Sequence, residues 1–294
     1  MSDAPGDLQT IDEIAALAEF EPEATLVFTE GRHDASLFQW FMDDLRLSGT
    51  AVAVGDRVFI PREQTEKYST DHGERAKAVT LSSELEGLLG RGLRQFVVIV
   101  DADWTSVLGP QPINRDYLLV TDFPSIEHYA LQDRPLKRFF SLALGQPESP
   151  SAADLYMVMG PALAVIAAVR VALHQYGIKG IANPADACTF SKNSISVTTS
   201  ELVRRCLSKI SKADREHSLE ELTSQANSYI EMLGNLGQLG RGHDVAPVLV
   251  KYLGLKGHYA APDVVESLLR TSLHPSELRE WPLFSELEQR LRRT

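Results

Sequence analysis

The chain has 294 residues, 44% hydrophobic and 23% charged, ordinary for a soluble globular protein organised as one enlarged domain or two closely packed ones. A net charge of -11 argues against a broad nucleic-acid-binding face, so a phosphate-binding surface has to be local, or completed by a partner or by a second copy of the chain in a homodimer. Cys188 and Cys206 have no CxxC or finger spacing and read as reduced thiols of a cytoplasmic protein, and Met1 to Leu8 carry no export signal. Residues 1–10 read as disordered and residues 1–23 as an acidic arm, with Ile11, Ile14, Ala15, Leu17 and Ala18 predicting a short amphipathic helix over Ile11–Phe20. Ala24–Thr29 is an extended apolar run ending in Glu30-Gly31-Arg32-His33-Asp34, and Ala35–Leu45 then has helical periodicity. Val52–Ile60, broken at Gly55-Asp56, reads as a second strand region, a hairpin or a bulge. Pro61–Gly73 is a polar loop with Arg62, Lys67 and His72, read either as substrate-contacting or as plain solvent-exposed loop. Glu74–Leu89 is a helix closed by Gly90.

The next strand, Phe96–Val100, is apolar without a polar break, the pattern of a parallel strand buried on both faces. It delivers Asp101 and Asp103, whose side chains leave an extended backbone on the same side. Two neighbouring carboxylates repel unless a cation lies between them, and Mg2+ is the usual hard cation for an open oxygen site, with Mn2+ as the alternative. The plain alternative is that Asp101 starts a turn or caps a helix. Strand, glycine turn, helix and a later strand predict a parallel α/β sheet flanked by helices, in which ligands bind at the carboxyl ends of the strands. Glu30 then arrives at the same edge as the two aspartates.

Residues 104–115 read as a loop and Tyr117–Val120 as the next strand, followed by Asp122 and Glu127. Glu127 either complements the dipole of a helix opened by Ser125 or joins the acidic cluster, and the same choice applies to Asp122. The second half reads as mainly helical. Helices over Arg134–Leu144 and Ser151–Tyr176 are expected to be broken at Pro147, Pro150 and Pro161, and the apolar run Pro161–Leu173 to be a core helix rather than a membrane span. Phe190–Thr199 reads as a short strand or hairpin carrying Lys192, a candidate transition-state cation. Helices follow over Ser200–Ile210, Leu219–Leu233, Val245–Leu253, Ala261–Thr271 and Pro275–Leu291. Gly240-Arg241-Gly242-His243-Asp244 reads either as a phosphate-approaching loop through Arg241 and His243 or as a tight interhelical connection with a capping Asp. No Gly-x-x-x-x-Gly-Lys-Ser/Thr phosphate loop is present, so the chain is not itself an ATPase.

Glu30-Gly31 with Asp34 after one strand and Asp101-x-Asp103 after another resemble the TOPRIM domain of topoisomerases, primases and OLD-family nucleases. Tyr117-Leu-Leu-Val-Thr-Asp-Phe-Pro-Ser-Ile-Glu127-His-Tyr, together with Gly242-His243-Asp244, is similar to the stand-alone TOPRIM family that includes AriB, the effector of PARIS anti-phage systems. The resemblance covers about residues 24–131 and implies a TOPRIM-like catalytic domain over 24–132 with a helical region over 133–294 packed on it. It implies a Mg2+-dependent nuclease whose ion is held by Glu30, Asp101, Asp103 and Glu127, with Glu30 also a general acid/base. Its implied substrate is nucleic acid, RNA (tRNA among them) or DNA, and its implied partner a separately encoded ATPase that restrains a toxic effector. The lysine that OLD-family sites place near the metals has no firm counterpart, and Lys192 stands only as a candidate for it. The competing reading is a catalytically silent TOPRIM sensor or docking subunit of an ATPase complex. Topoisomerase or primase activity is disfavoured by the lack of a zinc module and of room for the accompanying domains.

Overall fold

In a computed structural model of the chain, residues 8–69, 72–91, 95–102, 116–178, 183–209, 218–234 and 242–292 are described. Two units divide them: one holds the described residues from Leu8 to Ala102, Asp116 to Asp122 and His274 to Arg292, the other Phe123 to Leu273. The boundary expected between 132 and 133 falls inside the second unit.

The first unit is built on four short parallel strands. Helix α1 (Ile11–Phe20) opens with a reciprocal cap, in which Glu13 N–H donates to Thr10 Oγ1 at 3.2 Å and Thr10 N–H to Glu13 Oε2 at 2.7 Å. Residues 9 and 10 are ordered, against expectation, because Gln9 pairs through its backbone with Arg57 and Phe59. Strand β1 (Leu26–Thr29) leads through Glu30-Gly31 into α2 (Arg32–Asp44), and β2 (Thr50–Ala53) follows. The expected strand over Val52–Ile60 is corrected here. Val54–Arg57 closes one helical turn, α3, and Arg62–Thr65 a second, α4. Pairing with the four-residue β1 sets the length of β2, since each residue of Thr50–Ala53 faces one of Leu26–Thr29. Helix α5 (Glu74–Leu89) ends at Gly90, whose φ of 72° turns the chain in a way side chains disfavour. Strands β3 (Phe96–Val100) and β4 (Leu118–Val120) complete the order β2-β1-β3-β4.

Alternation along the strands assigns the two faces. Leu26, Phe28, Phe96, Val98 and Val100 pack with Ile11, Ile14, Leu81 and Leu85, so α1 and α5 cover one face. Val27, Val97 and Ile99 point the other way and are also buried, towards the side covered by α2. All five residues of β3 are therefore enclosed, which is why its sequence shows no polar position.

The second unit begins with α6 (Glu127–Ala130) and α7 (Asp133–Arg138), the latter running into a π-type turn at Phe139–Ala143. Helix α8 (Ala152–Gln175) is continuous through Pro161, which was expected to break it. Pro161 and Met157, one turn earlier, are both exposed, so the Met157 carbonyl deprived of an N–H partner faces the solvent side. Alone among the described helices, α8 is long and apolar enough to cross a membrane, and 67% of its apolar window is buried within the protein. Strands β5 (Thr189–Phe190) and β6 (Ile195–Ser196) form an antiparallel hairpin. Helices α9 (Thr199–Ser208), α10 (Leu219–Gly234), α11 (Gly242–Tyr252) and α12 (Pro262–Thr271) follow.

The chain then returns to the first unit. The single helix expected over Pro275–Leu291 is two, α13 (Pro275–Leu278) and α14 (Pro282–Arg292), because Pro282 cannot continue a helix from the preceding turn. Phe284 of α14 is fully buried and meets Phe38 and Phe41 of α2, with ring centroids 5.3 and 4.9 Å apart. The α2 side of the sheet thus has a second cover.

Candidate active site

The order β2-β1-β3-β4 means that the connection leaving β1 runs to one side and the connection leaving β3 to the other. The switch point lies between β1 and β3, where open α/β sheets bind ligands beyond the strand ends. Glu30 directly follows β1 and Asp101 directly follows β3. Thr29 is in register with Ile99, so the two acidic residues leave the sheet offset by a single position. The Asp101 backbone N–H donates to Glu30 Oε1 at 2.8 Å, which ties the two strand ends together. Ala102 N–H donates to Thr121 Oγ1 at 2.8 Å, joining the end of β4 to the same edge. Thr29 Oγ1 donates to the Gly31 carbonyl at 2.9 Å and holds the turn that carries Glu30. Both acidic residues are half-buried.

Asp34 lies in the first turn of α2, close enough over Gly31 that a Cβ there would be 3.3 Å from its Oδ2. Asp122 is drawn elsewhere in the first unit: its Oδ2 accepts the Leu283 N–H at 3.3 Å and so caps α14 from 161 positions away. Asp103 and Arg241, and the loop expected over 104–115, lie outside the described residues.

Glu127, Lys192 and His243 belong to the second unit. Glu127 is 4% exposed and ion-paired with Arg270. Burial alone would raise its carboxyl. Arg270, the backbone of its own turn, Ser125 and His243 together outweigh burial and hold it below the usual carboxylate range. Gly242 opens α11 directly against this carboxylate, and any side chain at that position would overlap it. The expected loop at Gly242-His243-Asp244 is therefore the first turn of a helix. His243 Nδ1 meets Glu266 Oε1 at 3.0 Å. Asp244, fully buried, receives Arg170 Nε at 2.5 Å and a second bond from Arg170 Nη2. Within this unit the two sequence phrases at Glu127 and at Gly242-His243-Asp244 thus meet in space. Lys192 sits at the exposed tip of the β5–β6 hairpin.

Sequence reading missed Thr121, Arg170, Arg270 and Glu266. Arg170 did leave a signal, since a lone cation in an apolar helix requires a buried anion. The others left none at local spacing.

Carboxylate oxygens at a half-exposed strand edge are donors of the kind a hard divalent cation takes while keeping part of its water. Among the described residues no group of three His, Cys, Asp or Glu side chains is assembled, so this edge contributes the pair Glu30 and Asp101, with Asp103 outside the described residues. Fold and edge together define an α/β protein with a four-stranded parallel sheet and two acidic residues at its switch point. Neither a protein-family model nor a curated protein matches the chain.

Proposed function

We propose that this chain is a Mg2+-dependent nuclease of the TOPRIM type, acting on RNA or DNA as a toxic effector in anti-phage defence and restrained by a separately encoded ATPase. The observation that carries the reading is the convergence of Glu30 and Asp101 at the switch point of a parallel sheet, fixed by the 2.8 Å bond between them. Glu30, Asp101 and Asp103 would hold the ion. Bound there, Mg2+ would supply charge neutralisation for in-line displacement at a phosphodiester and would acidify water. The chain's own contribution is orientation and proton transfer. The hydrogen bond from Asp101 fixes the Glu30 carboxylate, and Glu30 takes the proton of the attacking water. Glu127, already paired with Arg270, serves to fasten α6 to α11 and α12 rather than to bind an ion.

The same hydrogen bond also suits a silent docking subunit, in which Glu30 only ties two strands. Incubation of the purified chain with tRNA, single-stranded DNA and duplex DNA, each with Mg2+, Mn2+ or chelator, separates the two. The nuclease reading expects metal-dependent cleavage that Glu30→Gln abolishes without change in circular dichroism. Full activity in that variant, or no cleavage of any substrate by the wild type, refutes it.

A further inference from the structure

The hairpin tip that carries Lys192 is locked. Ser191 N–H donates to the Ser194 carbonyl at 2.9 Å, and Ser194 N–H to Ser191 Oγ at 3.1 Å, leaving Lys192 and Asn193 as a two-residue apex. Tyr252, near the end of α11, donates its hydroxyl to the Lys192 carbonyl at 3.2 Å, so its ring is pinned beside the apex. Two adjoining clefts open here within the second unit. One of 360 Å3 is lined by Lys192, Asn193, Tyr252 and Met157, and one of 560 Å3 by Lys192, Tyr252 and Phe190. Each is of a size that holds a nucleotide-sized ligand. Lys192 makes no ion pair among the described residues, in a chain whose net charge is -11. The acidic residue of the first cleft, Asp154, is engaged by Ser151 Oγ at 2.7 Å.

We infer that these clefts form a track for unpaired nucleotides of a nucleic-acid strand, a substrate-binding site that deepens the nuclease reading and rests on it for the class of ligand. Bases offer flat π-faces, which Tyr252 and Phe190 can stack, and each is followed by a phosphate, which a cation at a fixed apex can meet. Asn193 adds an amide that donates and accepts at a base edge. Both clefts are open and share Lys192 and Tyr252, so a strand passes from one to the other, whereas a duplex keeps its bases stacked inside.

The test is fluorescence anisotropy with labelled single-stranded RNA, the same sequence as a duplex, and a labelled mononucleotide, all in chelator so that no cleavage intervenes. Lys192→Glu should weaken strand binding at least tenfold and reduce the slope of log affinity against log salt by about one. Tyr252→Leu should weaken it about 5- to 150-fold, the usual range for one base–aromatic stack, while Tyr252→Phe keeps the ring and binds nearly as well as wild type. Thermal melts confirm that each variant is folded. Equal binding by Lys192→Glu and wild type, a preference for the duplex, or a mononucleotide that binds as tightly as the strand overturns the inference. The two readings fail separately. Metal-dependent cleavage with unaltered binding in both variants sinks the track alone. Variant-sensitive strand binding without cleavage sinks the nuclease alone.

Discussion

Replacing Arg270 by Leu would leave Glu127 as a buried carboxylate, 4% exposed, packed against the first turn of α11. Removing one partner of a buried ion pair costs about 3–5 kcal/mol. At about 2–4 °C per kcal/mol for a unit of this size, the melting temperature at pH 7 should fall by roughly 6–20 °C. Part of that is offset, because Arg270 Nε is buried without a hydrogen-bond partner among the described residues and leucine removes it. The pH dependence is the sharper measurement. In the wild type the folded Glu127 carboxyl is held below its unfolded value, so its stabilising contribution is present above the unfolded value, about pH 4.3, and is lost as pH falls through the lowered one. In Arg270→Leu the largest counterweight to burial is gone, so the folded carboxyl should move up, and burial is expected to carry it above its unfolded value. The penalty is then greatest at pH 7 and shrinks on acidification as Glu127 takes up a proton. Melts followed by circular dichroism from pH 7 to pH 4.5 should show the gap between wild type and variant narrowing. Adding Glu127→Gln to Arg270→Leu should recover most of the loss at pH 7. A gap below about 1 kcal/mol, or one that stays constant with pH, refutes the buried pair.

Asp101→Asn should raise the melting temperature in chelator, by removing repulsion at the sheet edge, and shrink the rise caused by Mg2+. That rise is worth about 2.7 kcal/mol when the ion is at a hundred times its Kd, and an equal Mg2+ shift in both proteins would remove Asp101 from the ligands. Glu127→Gln, by contrast, should leave the Mg2+-induced shift unchanged, as differential scanning fluorimetry with and without the ion would report. Gly242→Ala should destabilise the second unit through overlap with the Glu127 carboxylate, and much less in a Glu127→Ala background; additive effects in the double-mutant cycle would contradict the contact. Phe284→Ala should cost about 3–5 kcal/mol in urea unfolding, since its buried ring packs on Phe38 and Phe41.

What the sequence revealed follows from how local each determinant is. Phe96–Val100 and Glu74–Leu89 were legible because a strand enclosed on both faces and a glycine-ended helix are written in adjacent residues. The parallel arrangement and the meeting of Glu30 with Asp101 followed from strand–helix–strand order. Val54–Arg57 was misread because Val52, Val54, Val58 and Ile60 in and around it suit a strand, and only the length of β1 decides where pairing stops. Pro161 misled because its cost depends on which face of α8 it occupies. The engagements of Glu127 and Asp122 were out of reach, since their partners Arg270 and Leu283 lie 143 and 161 positions downstream.

That separation bears on the order in which the protein is made. The sheet unit is discontinuous in the chain: its strands emerge from the ribosome early, yet the ring of Phe284 that covers Phe38 and Phe41, and the helix that Asp122 caps, are translated only after the whole of the second unit. Domains fold as units while synthesis proceeds at about 5–20 residues per second, so the inserted unit can form while the sheet still lacks its second cover. A nascent chain halted before Pro282 would carry both Glu30 and Asp101 on an unfinished scaffold with an exposed aromatic face, a substrate for chaperones and proteases. Under the proposed function, such an assembly order would restrict the competent edge to molecules translated through α14.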